Sequence, residues 1–339
     1  MTGGESSDTA NGSSSGETRA PDDETSGTVC VFAPAPQLTI TIEGTVDDRA
    51  ELHVHPGGQG VWVARMIRTL GVQPILCSPF GGETGALVQD LARSEGLGVS
   101  GIEAGGANGA YIDDRRSGER TVLLEIPAAV LNRHELDDLY ALTLETAVAS
   151  GVCVITGTHA DRIIHDETFR RLGADLRAHG VTVVADLSGA PLEALMQGGI
   201  DLLKISHVEL EAAGMADGSD ESILVAIDQL RAAGVVDIVV SRAEHPSIAA
   251  IGSEWYEIST PQLEVVEARG SGDSMTAGLA VAALRGLAPV EMLQLAAAAG
   301  ASGVTRHGVA TGGRRMVETL RDRVEIKTIS GGRLPGGTP

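Results

Sequence analysis

The chain is 339 residues long and 42% apolar, enough to bury the core of one large domain or two modest ones. Its formal net charge of −21 argues against a nucleic-acid or anionic-membrane partner, because phosphate backbones and acidic headgroups are held by clustered Lys and Arg. No apolar run reaches about 18 residues and no basic stretch precedes an apolar one at the N-terminus, so a cytoplasmic protein without a membrane span is expected.

Residues 1–27 are Gly, Ser, Thr, Asp and Glu with hardly an aliphatic side chain, and read as a disordered acidic tail. A folded domain over 28–329 opens with a buried strand, Thr28–Ala33. Residues 37–55 then alternate with period two and read as a hairpin. His53 and His55 share a face of it and have no third metal ligand, so they read as exposed strand histidines. A helix follows over 60–70, a strand over 73–77 and a helix over 84–95. A second hairpin pattern occupies 109–125. Further on come strands at 152–156, 181–186, 202–205 and 238–241, with helices at 161–179 and 220–233 between them. Trp255 and Tyr256 lie in an alternating stretch that reads as hairpin packing. Two small-residue helices, 272–284 and 290–304, precede a loose end at 330–339.

Helices stopping at Gly71, Gly96, Gly180, Gly234 and Gly286 fit the positive-φ cap that ends a helix. The alternation of short β-rich runs with helices predicts a three-layer α/β domain on a mostly parallel sheet. The two hairpins interrupt it and read as a small second sheet, a lid over the ligand crevice. Cys30, Cys77 and Cys153 are odd in number, lack CxxC spacing and sit in strand-like segments, so they read as reduced core residues.

The segment with most chemistry in it is Gly270-Ser271-Gly272-Asp273. A loop of small residues feeding a helix start leaves backbone N–H groups aimed at one spot, a cradle for phosphate. A carboxylate there repels a phosphate but is well placed to take a proton from a hydroxyl that attacks one. The tetrapeptide alone fits equally a glycine turn with Asp as helix cap.

With the order of elements, these residues make the chain resemble the PfkB, or ribokinase-like, carbohydrate kinases, nearest their 1-phosphofructokinase branch, over residues 28–325. The landmarks are Pro56-Gly57-Gly58-Gln59-Gly60, Phe80-Gly81-Gly82, Thr156-Gly157-Thr158, Asp186-Leu187-Ser188-Gly189, Lys204-Ile205-Ser206 through Glu209-Leu210, and Glu267 through Ser274. The resemblance implies a ribokinase-like fold and an ATP-dependent phosphotransferase acting on a sugar-like alcohol. It implies Asp273 as general base and the amides of Gly270, Ser271 and Gly272 as anion hole. Substrate contacts fall on Thr39, Gly57, Gly58 and Trp62, and nucleotide contacts on Lys204, Ser206, Ser241 and Ala243. Mg²⁺ is implied on the ATP phosphates through water, with Glu209 as the nearby carboxylate.

Departures from the family pattern cluster at the sugar. Thr39 stands where the family has a substrate-binding Asp, and Trp62 replaces its Asn. The stretch 107–110 lacks the Arg that holds a sugar's phosphate, leaving Arg115, Arg116 and Arg120 further along a turn. Ala243 and Pro246 replace glycines near the nucleotide. Arg269, just before the loop, reads as a cation within reach of a phosphate or as an exposed side chain, the second slightly favoured. Two readings follow, a divergent kinase or a kinase-fold sensor without turnover. Hairpin edges that need covering favour a homodimer through the lid.

Overall fold

The computed structural model describes residues 1, 27–44, 49–157, 163–261, 263–264, 269–303, 310 and 312–329. The tail readings for 2–26 and 330–339 lie outside the described residues, as do Thr158, the start expected for a helix at 161, Glu267 and the helix end at 304.

In chain order the strands are β1 (Thr28–Phe32), β2 (Gln37–Gly44), β3 (Ala50–Gly57), β4 (Gln73–Phe80), β5 (Gly98–Glu103), β6 (Gly109–Asp114), β7 (Thr121–Ile126), β8 (Val152–Thr156), β9 (Thr182–Asp186), β10 (Ile200–Ser206), β11 (Val235–Ser241), β12 (Ser247–Ile251), β13 (Glu254–Ser259) and β14 (Glu325–Ile329). The helices are α1 (Gln59–Thr69), α2 (Gly82–Ser94), α3 (Arg133–Ser150), α4 (Asp166–Ala178), α5 (Gly189–Gly198), α6 (His207–Ala212), α7 (Asp220–Ala232), α8 (Ser271–Arg285), α9 (Pro289–Gly303) and α10 (Arg314–Arg321).

Ten strands form one sheet in the order β14-β13-β12-β11-β10-β9-β8-β1-β4-β5. From β11 to β5 every neighbouring pair is parallel, whereas β12, β13 and β14 add on antiparallel. Apart from the edge strand β5, the strands of the parallel part are largely buried on both faces. In β1, Val29 and Val31 join a core with α1, α2, α8, α9 and α10, while Cys30 and Phe32 point the other way into a core with α3, α4, α5 and α7. This is a three-layer ribokinase-like α/β arrangement. Chain order runs outward from β1 in both directions, so the crevice at the topological switch lies past the C-terminal ends of β1 and β8.

The glycine stops have a shared geometry. Gly71, Gly96, Gly180, Gly234 and Gly286 take φ of 84°, 74°, 71°, 110° and 60°. After four of these helices the next residue closes back by five positions, as Val72 N–H does onto the Ile67 carbonyl. The helix over 133–150 went unread because its polar and apolar residues show little periodicity. Its start is written instead in a capping box, Asn132 with Glu135.

Residues 37–55 and 109–125 form two hairpins joined by a parallel β2–β6 pairing, a separate four-stranded sheet in the order β3-β2-β6-β7. Thr39, Thr41, Tyr111 and Asp113 lie on its buried face. Cys30, Cys77 and Cys153 are free and fully buried, and His53 lies exposed between Glu43 and Glu51 at 3.7 Å from each. Among the described residues no helix is long and apolar enough to cross a membrane.

α8 and α9 pack through small side chains, and a Cβ on Gly278 would come within 2.6 Å of the Ala296 Cα. Backbone cannot yield as a side-chain tip can. Gly278→Ala is therefore expected to destabilise the fold by about 1–3 kcal/mol, read as a lower urea midpoint at unchanged slope. An unchanged midpoint would refute this account of the α8–α9 contact.

Candidate active site

The helix α8 begins at Gly270, whose φ of 77° lets the chain turn sharply into the helix. The first intrahelical bond runs from Ser274 N–H to the Gly270 carbonyl at 2.9 Å. The amides of Ser271, Gly272 and Asp273 therefore have no acceptor inside the helix, at its positive dipole end. Gly272 serves a second purpose, since a Cβ there would lie 2.5 Å from Lys204 Nζ. Its bare backbone lets the ammonium sit against the helix start.

Lys204 comes from the end of β10 and is buried. Its Nζ lies 3.3 Å from Asp186 Oδ1, at the end of the neighbouring strand β9. Burial pulls its pKa down, but Asp186, Glu209 and Asp273 together raise it above the ordinary lysine value. The ammonium is charged. Asp186 Oδ2 also accepts from Thr276 Oγ1 at 2.7 Å, which clamps the second turn of α8 onto the sheet.

Asp273, also buried, completes the group. Burial first and the Asp186 charge second push its pKa up to about 7, against the pull of Lys204 and of its own amide. Two carboxylates next to one ammonium cannot both be fully compensated in a desolvated site, and Asp273 carries the excess. Its carboxyl is thus poised near neutral pH, where a general base works best.

Glu209 lies close by but is committed. Its Oε2 accepts from the Ser206 amide at 2.8 Å and from Ser206 Oγ at 2.6 Å, the capping box of α6. Burial opposes its ionisation, yet Lys204 and the Ser206 bonds hold its pKa below the usual range. Among the described residues no three His, Cys, Asp or Glu side chains gather as a metal site.

Of the nucleotide positions read from the sequence, Ser206 and Ser241 stand side by side at the ends of β10 and β11. Lys204 lies deeper than expected, under the start of α8. Ala243 takes a φ of 49°. The backbone there keeps the left-handed turn that glycine supplies elsewhere, at a strain of roughly 1–2 kcal/mol for a residue with a Cβ. The turn is held by Arg242, which is buried and bonded to Asp220 and to the Pro246 carbonyl.

The substrate positions meet where the small sheet faces α1. Gly57 and Gly58 permit close approach: a Cβ on Gly57 would lie 2.1 Å from Thr39 Oγ1, and one on Gly58 2.6 Å from the Ala35 carbonyl oxygen. Gln59 ties the start of α1 to the crevice, accepting from the Gly157 amide at 2.9 Å and donating to the Asp186 carbonyl at 3.2 Å. Trp62 is buried on the next turn.

Arg269 differs from the reading that left it exposed. It is half-buried, its guanidinium 5.7 Å from the Trp62 ring and 4.8 Å from the Tyr111 ring. Aromatic faces on both sides attract the cation. Arg120 stacks on the same Tyr111 ring at 4.8 Å and donates to its hydroxyl. Its Nε lies 3.4 Å from Asp113 Oδ2, near enough for charge attraction but without hydrogen-bond alignment. Arg115 and Arg116 are taken up by Asp113 and Asp114. At the position lacking the expected Arg, Asn108 is structural, donating to the Pro36 and Pro79 carbonyls and accepting from the Gly81 amide.

Tyr111, Gln59, Asp186 and Thr276 were not singled out from the sequence as site residues. Asp186 and Gln59 carry a signal, since each lies in a segment that resembles a family motif. Buried polar atoms without partners among the described residues are Thr39 Oγ1, Trp62 Nε1 and Arg120 Nε, all three on this cluster around Tyr111.

A family model described as pfkB family carbohydrate kinase matches residues 27–314. The 1-phosphofructokinase of Haemophilus influenzae is 26% identical over 290 residues, covering 85% of this chain and 92% of that protein. The ATP-dependent 6-phosphofructokinase isozyme 2 of Mycobacterium tuberculosis is 27% identical over 270 residues, 78% of each. Phosphofructokinase-2 from Escherichia coli, solved with potassium, aligns with a TM-score of 0.78 at 23% identity over 88% of this chain and 99% of that one. No finding favours the sensor without turnover.

A carboxyl whose folded pKa is raised favours the folded state at low pH and loses that advantage as pH climbs from about 4 through about 7. Asp273→Asn removes the titration. The variant is expected to melt higher than the parent at pH 8, with the gain vanishing near pH 4. An equal gain at both pH values would show that Asp273 does not carry the excess charge.

Proposed function

This chain belongs to the pfkB family of carbohydrate kinases, and we propose that it transfers the γ-phosphoryl group of ATP to a hydroxyl of a sugar phosphate, with Asp273 as base. The observation that carries the reading is a buried carboxyl brought near neutral pKa directly in front of the open amides of a helix start.

In the proposed step Asp273 takes the proton of the acceptor hydroxyl while its oxygen attacks the γ-phosphorus. The bond from that phosphorus to the β–γ bridging oxygen breaks, and ADP leaves with the electron pair. Charge growing on the transferred group is met by the amides of Gly270, Ser271 and Gly272 and by the Lys204 ammonium. Ser206, Ser241 and the turn at Ala243 lie at the strand ends where the nucleotide is held. Mg²⁺ neutralises phosphate charge when bound. The side chains fit an ion held by phosphate oxygens and water, with Asp186 and Glu209 outside its first shell, because both are already bonded to protein groups.

The acceptor reading rests on the orphaned donors. Trp62 Nε1 and Arg120 Nε can only donate, and Thr39 Oγ1 can donate too. Such a set calls for an acceptor-only group, and a phosphate oxygen is one. The names of the relatives, 1-phosphofructokinase and 6-phosphofructokinase, point the same way. Thr39, Gly57, Gly58 and Trp62 would then shape the sugar pocket, with the small sheet as its lid. ATP and sugar phosphates as reactants fit a cytoplasmic enzyme.

With Mg-ATP, turnover is expected on fructose 1-phosphate or fructose 6-phosphate rather than on fructose. Asp273→Ala should lower kcat by about 10²- to 10⁴-fold. Arg120→Gln should raise KM for the phosphorylated acceptor by roughly tenfold or more while kcat holds, the loss of a charge-assisted bond. Undiminished transfer by Asp273→Ala would sink the mechanism. Transfer to neutral sugars alone would sink only the phosphate reading.

The lid also supports a homodimer. Its two edge strands expose Leu52 and Val54 on β3 and Val122, Leu123, Leu124 and Ile126 on β7. Apolar rows on sheet edges need covering. The wild-type chain should sediment as a dimer at micromolar concentration and Leu124→Asp as a monomer with its melting temperature kept. A monomeric wild type refutes the lid pairing.

A further inference from the structure

At the far end of α8 from Asp273 lies a cavity of about 430 Å³, unrelated to the crevice. Helix α8 has 15 residues, so the two ends stand about 22 Å apart at 1.5 Å per residue. A molecule bound here cannot be the acceptor or the nucleotide being turned over.

The cavity is walled by Leu287, Leu295 and Val317 and carries Arg285, Arg314, Arg321 and a single carboxylate, Glu318. Arg285 Nη2 donates to the Leu70 carbonyl at 2.9 Å, capping the end of α1. Arg314 Nε pairs with Glu318 at 3.0 Å. Arg321 is half-buried and makes no hydrogen bond or ion pair among the described residues. The guanidinium groups are drawn together. A Cβ placed on Gly71 would meet Arg314 Nη1 at 3.1 Å and Arg285 Nη2 at 4.0 Å, so those two nitrogens are no more than 7.1 Å apart, the sum of the two distances.

The local charge does not close. The C-terminal ends of α1 and α8 each contribute roughly half a negative charge, and Glu318 contributes one more against the three guanidinium groups. Among the described residues lining the cavity about one positive charge is left over, in a chain whose formal charge is −21. Arg314 also stands on the first turn of α10, where the helix dipole disfavours a cation. Arg314 held against that penalty, beside an Arg321 that has no partner among the described residues, is what an anion site offers.

We propose that this cavity binds a small phosphate-bearing anion, with Arg321 and Arg314 as its ligands and the leucine and valine walls against its body. Its volume lies in the range of small-molecule pockets. The proposal stands apart from the reading of the catalytic crevice.

The test is calorimetric titration with inorganic pyrophosphate, the crevice kept filled by a saturating non-hydrolysable ATP analogue and Mg²⁺. Of the sites the wild type fills, the one at the cavity is expected to weaken at least tenfold in Arg321→Gln and not in Arg120→Gln, whose change falls on the acceptor pocket, and to weaken again as salt is raised. Arg321→Lys keeps the charge without the fork and should fall between wild type and Arg321→Gln. It also serves if Arg321→Gln fails to fold. Absence of heat in the wild type up to 10-millimolar-scale (~10 mM) pyrophosphate, or equal binding by wild type and both Arg321 variants, overturns the proposal.

Discussion

One buried ammonium organises the catalytic end of this protein. Lys204 stands between Asp186, Glu209 and Asp273 and lies against Gly272, where the missing Cβ leaves it room. Without it, a cluster of carboxylates would be left in a desolvated site, a far larger penalty than the loss of any one bond. With it, charge is nearly but not wholly balanced, and the remainder is expressed as a carboxyl that holds its proton up to about pH 7. The same few atoms therefore hold α8 to the sheet and tune the group at its start.

That arrangement constrains what surrounds it. The amides of α8 are available because the chain enters the helix through a left-handed glycine, and the helix lies close to α9 because Gly278 and the alanines of α9 permit it. Gln59 couples the start of α1 to the ends of β8 and β9, so the catalytic and acceptor sides share one frame. On the side proposed for the acceptor, Thr39 and Trp62 stand where the family resemblance implies a carboxylate and an amide, Arg269 lies over the Trp62 and Tyr111 rings, and Arg120 stacks on Tyr111. In the proposed mechanism the phosphoryl-transfer groups keep the family pattern while the pocket before them differs in chemistry. Divergence of this kind is tolerated because a pocket wall can be rebuilt residue by residue, whereas the charge cluster fails as a unit.

Local sequence signals spoke for the elements with regular patterning. Glycine stops, β-branched runs and the two period-two stretches correspond to helix ends, parallel strands and the second sheet. Helix α3, with polar residues on most of its surface, was invisible to periodicity and carried only its capping box. Strand β14 pairs antiparallel at an edge, far in sequence from the strand it joins, and no local pattern announces such a partner.

The sequence by itself determined the three-layer class, the small-residue entry to α8 and the presence of a carboxylate there, because these depend on residue type over a few neighbouring positions. Only the tertiary structure decided the protonation state of Asp273, the depth of Lys204 and the inward stacking of Arg269. Each of those depends on desolvation and on charges brought together from strands and helices distant along the chain, and a linear pattern holds no record of either.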